Sequence, residues 1–355
     1  RLPTNVVPTR YSISLIPNFR DFTFQGQASI TLEILAATST ILLHSAELEI
    51  SQAHLAYGDG TIVPVRDVIL DADAETASLD FQEQLPQGPS VLSIQFVGTL
   101  NDQLRGFYRS KYMAADGAEH LMAATQFEAT DARRAFPCWD EPSIKAIFQI
   151  TLTIPSGLAA ISNTPIDTET SLGNGLTEIC FAETPRMSTY LLAIVVGDME
   201  CIEERAPSGT LVRIWTTRGK VHHGEFALKT AVSVLEYFNN YFGISYPLKK
   251  LDHVAIPDFA AGAMENWGAI TYRETLLLYD DKNSASDTQQ HIVEVIAHEM
   301  AHMWFGDLVT MEWWDDLWLN ESFASWVGNK AVNSLYPEWD MWTQFVSQDT
   351  NAGLG

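Results

Sequence analysis

Apolar and polar residues alternate through much of the first two hundred positions. The stretches YSISLIP (11–17) and ASITLEIL (28–35) do so, and SVLSIQFVGTL (90–100) and AIFQITLTIP (146–155) are β-rich runs. Period-two alternation puts the apolar set on one face of a strand. STYLLAIVVGDME (188–200) is a further β-rich run. Proline and glycine punctuate the strands at PQGPS (86–90), IPSG (154–157) and LGNG (172–175). Many short strands with no helix between them predict an antiparallel sandwich or saddle.

The period changes after about residue 205. One more strand is expected at TLVRIWTT (210–217). HHGEFALKTAVSVLEYFNNYFG (222–243) then carries Phe226, Val232, Leu235 and Phe238 at helical spacing and ends on Gly243. Two further helices are expected over 287–305 and 316–334. The first has Asp287 as its N-cap and Gly306 as the residue after its C-cap. The expected division is a β-domain over 1–200 and a mixed α/β domain over 201–355. At 355 residues the chain exceeds the roughly 250–300 that one core usually supports. No internal repeat or low-complexity segment is present.

Composition narrows the function classes. Hydrophobic residues make up 46% and charged residues 19%, enough to bury ordinary cores. A formal net charge of −24 argues against nucleic acid and anionic membrane surfaces as partners. It fits cationic substrates and equally fits plain solubility. Three cysteines, Cys138, Cys180 and Cys201, form neither a disulfide framework nor a CxxC pair, which points to a reducing compartment and a cytoplasmic location. The longest apolar run, YLLAIVVG (190–197), falls far short of the about 20 residues of a membrane span. No signal-peptide pattern is visible, and the chain opens on Arg1.

The candidate chemistry lies in the second half. HEMAHMWFG (298–306) sets His298 and His302 one helical turn apart on one face, with Glu299 beside them. HExxH supplies two zinc ligands and a general base, and a hydrolytic zinc site commonly adds a third protein ligand. Glu321, in WLNESFASW (318–326), begins or sits within the next helix, which can fold back onto the first. Its apolar surroundings (Trp318, Leu319, Phe323, Ala324 and Trp326) argue against a solvated face and for a positive partner. The tryptophans crowded between Trp267 and Trp342 are expected to form a dense core around these helices. Upstream, AGAMENWGAITYRE (261–274) flanks a lone glutamate with small residues that let a substrate backbone come close to an edge strand. TQFEATDARRAFPCWDEP (125–142) places Gln126 and Glu128 two apart at a strand end, facing the same way. Ion pairs of Glu128 or Glu265 with Arg133, Arg134 or Arg273 are the plainer reading of those two acids.

GAMEN (262–266), HExxH followed after eighteen residues by the glutamate of NE, and FPCWDEP together resemble the M1 family of zinc aminopeptidases among the gluzincins. The resemblance spans essentially the whole chain and is strongest to the puromycin-sensitive and the fungal alanine/arginine types. It implies an α+β multidomain fold: an N-terminal β-saddle or sandwich, then a partial thermolysin-like mixed α/β catalytic domain. It implies one zinc per chain on His298, His302 and Glu321, with Glu299 as general base. It further implies that Glu265, Glu128 and Gln126 bind the substrate's free α-ammonium. Gly262, Ala263, Met264 and Asn266 complete the substrate-binding segment. The partners are then peptides with a free N-terminal amine.

The chain departs from the family pattern in reading NES where NEG is usual and in carrying Met303 where glutamine is common. Family members also place an oxyanion tyrosine and a large helical domain well downstream of the third ligand, beyond Gly355. The resemblance therefore implies a catalytic domain lacking its C-terminal part, with impaired activity and a missing segment or chain among its partners. The alternative is a catalytically weak peptide-binding or scaffolding homologue that keeps the zinc site.

Overall fold

The computed structural model of the protein describes residues 1–114, 117–285 and 287–347. They form two compact units: residues 1–112 with 119–198, and residues 199–285 and 287–347 with 113–114 and 117–118. Among the described residues no helix is long and apolar enough to cross a membrane.

The first unit is built on an eight-stranded sheet. Its order is Ile166–Gly173, Leu176–Phe181, Ile147–Pro155, Val6–Asn18, Thr23–Ile34, Gly88–Thr99, Glu49–Tyr57 and Ile62–Pro64. All its pairings are antiparallel except that between Val6–Asn18 and Ile147–Pro155. The alternation in the sequence becomes register here. Tyr11, Ile30, Leu92 and Leu55 line up across four strands and are all buried, while the neighbouring row Ser12, Ser29, Ser93 and His54 faces the other side. The Tyr11 ring stacks on Phe148 at 4.9 Å, and its hydroxyl accepts from the Trp139 N–H at 3.1 Å. Sheets of four and three strands complete the unit.

The run 188–200 is not one strand. Thr189–Leu191 is a 3-10 turn, Ile194–Gly197 is a short strand, and Met199–Arg205 belongs to the second unit's sheet. Ser188 Oγ donates to Pro142 O at 2.5 Å and Thr189 Oγ1 to Asp140 Oδ1 at 2.7 Å. These side-chain bonds draw the segment out of a ladder.

The second unit has a five-stranded mixed sheet in the order Met199–Arg205, Leu211–Thr217, Lys250–Ile256, Ala269–Arg273, Ala263–Met264. The outer pairs are antiparallel and the inner two parallel. Lys250–Ile256 is buried along its whole length. Its two charges are paired, Asp252 accepting from Lys250 at 2.7 Å and from Arg213 at 2.6 Å, as burial of charge demands. The helices are α1 (Glu225–Phe242), α2 (Thr288–His302), α3 (Leu317–Leu335) and the short α4 (Met341–Phe345). Gly243 closes α1 in the left-handed region at φ 63°. Asp287 stands at the N-cap position of α2 as expected, and the C-terminal end differs. Asp287 makes no side-chain cap hydrogen bond, and the helix stops at His302, short of Phe305.

Each unit holds a histidine that burial keeps neutral. Burial pulls the His253 imidazole down to about 3, and burial with the nearby Arg133 charge does the same to His44. Unfolded, each titrates near 6.5, so the unfolded chain takes up the protons first as pH falls. The stability these neutral imidazoles contribute is complete above about pH 6.5 and drains away towards pH 3. For fully buried His253 the loss at pH 5 is on the order of 2 kcal/mol. Urea midpoints are expected to be lower at pH 5 than at pH 7.5. His253→Asn keeps an acceptor for the Tyr272 hydroxyl, now 2.9 Å from His253 Nδ1, and should flatten that dependence. An equal pH slope in wild type and variant would refute the assignment.

Candidate active site

The second unit brings α2 and α3 together at His298. The buried stripe of α3 is Asn320, Ala324, Val327, Gly328, Ala331 and Val332. At Gly328 a Cβ would lie 3.2 Å from the His298 backbone nitrogen and 3.3 Å from its Cα. A glycine is what lets the two backbones approach so closely, and that approach carries Glu321 to the histidine face of α2.

Three atoms able to ligate a metal converge there. His298 Nε2 and His302 Nε2 are 3.0 Å apart, and Glu321 Oε2 lies 3.3 Å from the first and 3.7 Å from the second. A tetrahedral zinc with bonds of about 2.0–2.1 Å has ligand–ligand edges of about 3.3 Å, so the set has the dimensions of one such site. The hydrogen bonding around His302 agrees. Its Nδ1 faces two oxygens, Phe305 O at 2.9 Å and Asn320 Oδ1 at 3.0 Å. The carbonyl can only accept, so Nδ1 carries the proton and Nε2 presents its lone pair. His298 Nδ1 lies 3.3 Å from Ser325 Oγ.

The electrostatics favour positive charge at this point. Burial alone would lower the His302 imidazole, but Glu265, then Glu321 and Glu299, hold it well above its ordinary value. Burial would raise the Glu321 carboxyl, yet its hydrogen bonds with His298 and His302 hold it well below the usual carboxylate range. A divalent cation would displace the His302 proton, since a ligating imidazole must be neutral.

The chain after His302 serves the same ring. Past His302 the chain leaves the helical ladder, Asp307 N donating to His302 O at 3.0 Å, and the Phe305 carbonyl in this turn faces Nδ1. Gly306 is not a helix-terminating residue here. It sits at φ 140°, and a Cβ on it would lie 2.8 Å from Asn320 Oδ1.

The GAMEN segment lies beside α2. Ala263–Met264 is the edge strand of the sheet. Gly262 and Ala263 line the same cavity as His298, Glu299 and Glu321, while the Met264 side chain is buried. Glu265, 3% exposed, accepts from Asn320 Nδ2 at 3.3 Å and stands 3.8 Å from His302 Nδ1. Asn266 shapes the turn into Ala269–Arg273: its Nδ2 donates to Thr271 Oγ1 at 3.1 Å and its carbonyl accepts from Ala269 N at 2.9 Å. Glu299 is buried at 6% exposure. Burial, with the nearby Glu299 charge second, pushes the Tyr272 hydroxyl up.

Gln126 and Glu128 belong to the first unit. Gln126 is buried and ends the strand Glu119–Gln126. Glu128 lies past the strand end in a turn, so the two-residue alternation expected to align them does not reach it. Arg133 pairs with Asp140 at 3.0 Å and Glu75 at 3.1 Å; Arg134 pairs with Glu47, Glu75 and Asp131. Arg273 donates to Ala260 O.

The surroundings of Glu321 also differ from expectation. Trp267 and Trp304 are buried, but Trp318 is 61% and Trp326 42% exposed, and the Glu321 side chain itself is 41% exposed. The stripe that packs on α2 leaves Trp318, Leu319 and Trp326 on another side of α3. They line an apolar cavity of about 580 Å³ with Phe305, Val309 and Phe323. The ligand geometry, and not a shell of buried aromatics, accounts for Glu321. Asn320, which ties His302 to Glu265, was not singled out from the sequence. The available signal was its place as the one amide among the small and branched residues of the α3 stripe.

Residues 226–354 match the model of the peptidase family M1 domain, and residues 7–191 that of the peptidase M1 N-terminal domain. Aminopeptidase M1 of Arabidopsis thaliana is 48% identical over 353 residues, 99% of this chain and 40% of that protein. Puromycin-sensitive aminopeptidase of Caenorhabditis elegans is 40% identical over 356 residues, 100% of this chain and 38% of that protein. Alanine/arginine aminopeptidase of Saccharomyces cerevisiae is 44% identical over 361 residues, 99% of this chain and 41% of that protein. The chain thus spans about 40% of the length of these curated relatives.

Proposed function

Since the chain belongs to the M1 peptidase family, we propose that it carries the metal centre and amine-binding segment of a zinc aminopeptidase. His298, His302 and Glu321 hold one zinc. The observation that carries this reading is the convergence of their three ligand atoms, with the His302 tautomer fixed from behind. When bound, zinc supplies Lewis acidity towards a carbonyl and a water.

The protein's own groups do the rest. Glu299 takes a proton from the attacking water and delivers it to the leaving amine. The edge strand Ala263–Met264 aligns an extended peptide backbone, in the manner of an added strand. Glu265 holds the substrate's α-ammonium, and its place beside His302 sets how far the chain end lies from the cut. That the relatives are named aminopeptidases agrees with this assignment.

Zinc-loaded protein is expected to release single residues from the free end of a peptide and to leave its N-acetylated counterpart uncut. Acetylation removes the charge that the Glu265 carboxylate holds, at a cost of roughly 2–5 kcal/mol for a buried pair. Equal cleavage of the two peptides, followed by mass spectrometry, would overturn the exopeptidase reading.

A further inference from the structure

One carboxylate in the cavity is left unused by the chemistry above. The cavity of about 510 Å³ that holds the metal site extends along α2 to Glu294, Val295, Asn329, Met341 and Gln344. Among the described residues its lining includes the carboxylates of Glu294, Glu299 and Glu321 and no lysine or arginine. Glu299 and Glu321 have roles. Glu294 lies one turn before His298 on the same face of α2, and its side chain is 30% exposed. Its orientation is fixed: Oε1 accepts from Gln290 Nε2 at 2.7 Å, and Gln290 also donates to Gln344 Oε1 at 2.8 Å. Oε2 is 3.5 Å from His291 Nδ1.

The direction of the substrate follows from the same elements and rests on the aminopeptidase reading. Along the edge strand, Glu265 touches His302, whereas Gly262 lines the cavity with His298 and Glu294. A peptide whose ammonium sits at Glu265 therefore runs antiparallel to 262–265, passes the metal, and continues towards Glu294. The four residues from His298 back to Glu294 span about 6 Å of helix. That is beyond one extended residue of about 3.3 Å but within reach of a long side chain attached to it.

We propose that Glu294 selects the residue immediately after the cut bond, favouring lysine or arginine there and disfavouring aspartate or glutamate. A guanidinium or ammonium at that position makes a charge-assisted hydrogen bond to a carboxylate already held in place, whereas an acid meets the like charge of Glu294.

The test compares Ala-Lys-Ala with Ala-Glu-Ala on the zinc-loaded full chain. It reads both the kcat/KM ratio by competition and the affinity ratio by calorimetry in a Glu299→Gln background. Partial exposure of Glu294 sets the expected lysine preference at roughly 3- to 10-fold, between that of an exposed and of a buried charged pair. Glu294→Gln should bring the ratio close to one, and Glu294→Lys should invert it. A wild-type ratio near one, or a ratio that Glu294→Gln leaves unchanged, overturns the proposal. Alanyl arylamide, which has no residue beyond the bond, separates the two readings. If it and every free-amine peptide resist hydrolysis, the catalytic reading fails while the affinity ratio still decides the role of Glu294.

Discussion

Glu299→Gln is expected to leave zinc bound and to lower kcat by about 10²–10⁴, the range typical for loss of a general base. The substitution is nearly isosteric and removes the carboxylate proposed to accept the water proton. Glu299 is buried beside the ligands yet is not one of the three atoms that converge, so the metal should be retained. A rate measured on free-amine peptide at saturating zinc, with metal content determined on the same sample, checks both halves. Turnover within a few-fold of wild type would move the base elsewhere in the cavity.

His302→Ala is expected to have the opposite signature, loss of the metal itself. His302 supplies one of the three convergent atoms and is the ring most completely held, by Phe305 O and Asn320 on one side and Glu265 nearby. Removing a supporting hydrogen-bond partner alone typically costs about 10–100-fold in metal affinity; removing the ligand should cost more. The variant leaves a buried space flanked by Glu265, Glu299 and Glu321, whose carboxylates lose the imidazole that now offsets them. Chelator competition should show zinc leaving at far lower chelator concentration than in wild type.

Much of this was legible because it depends on local spacing. Residues one turn apart share a helix face whatever surrounds them, so HExxH predicted the pairing of His298 with His302, whose Nε2 atoms stand 3.0 Å apart. Alternation likewise predicted the strands of the large sheet, since a buried row such as Tyr11, Ile30, Leu92 and Leu55 needs only period two. What escaped depends on contacts between distant segments. The break at Thr189–Leu191 follows from bonds to Asp140 and Pro142, some fifty residues earlier. The Phe305 carbonyl that the His302 ring faces lies in the turn after α2, a pairing no local propensity records. The exposure of Trp318 and Trp326 follows from which stripe of α3 packs on α2. An apolar residue is compatible with either side until a partner helix is known. Asn320 was hidden for a related reason: its two partners, His302 and Glu265, come from separate elements, α2 and the segment after Ala263–Met264.

The central claim is that His298, His302 and Glu321 form one zinc site with Glu299 beside it but outside the ligand set. Zinc per chain, measured on wild type, Glu299→Gln, His302→Ala and Glu321→Ala after dialysis against the same dilute chelator, tests it most directly. The expected result is one zinc in wild type and Glu299→Gln, and little or none in the other two variants. Retention of one zinc by His302→Ala and Glu321→Ala, with both variants folded, would contradict it.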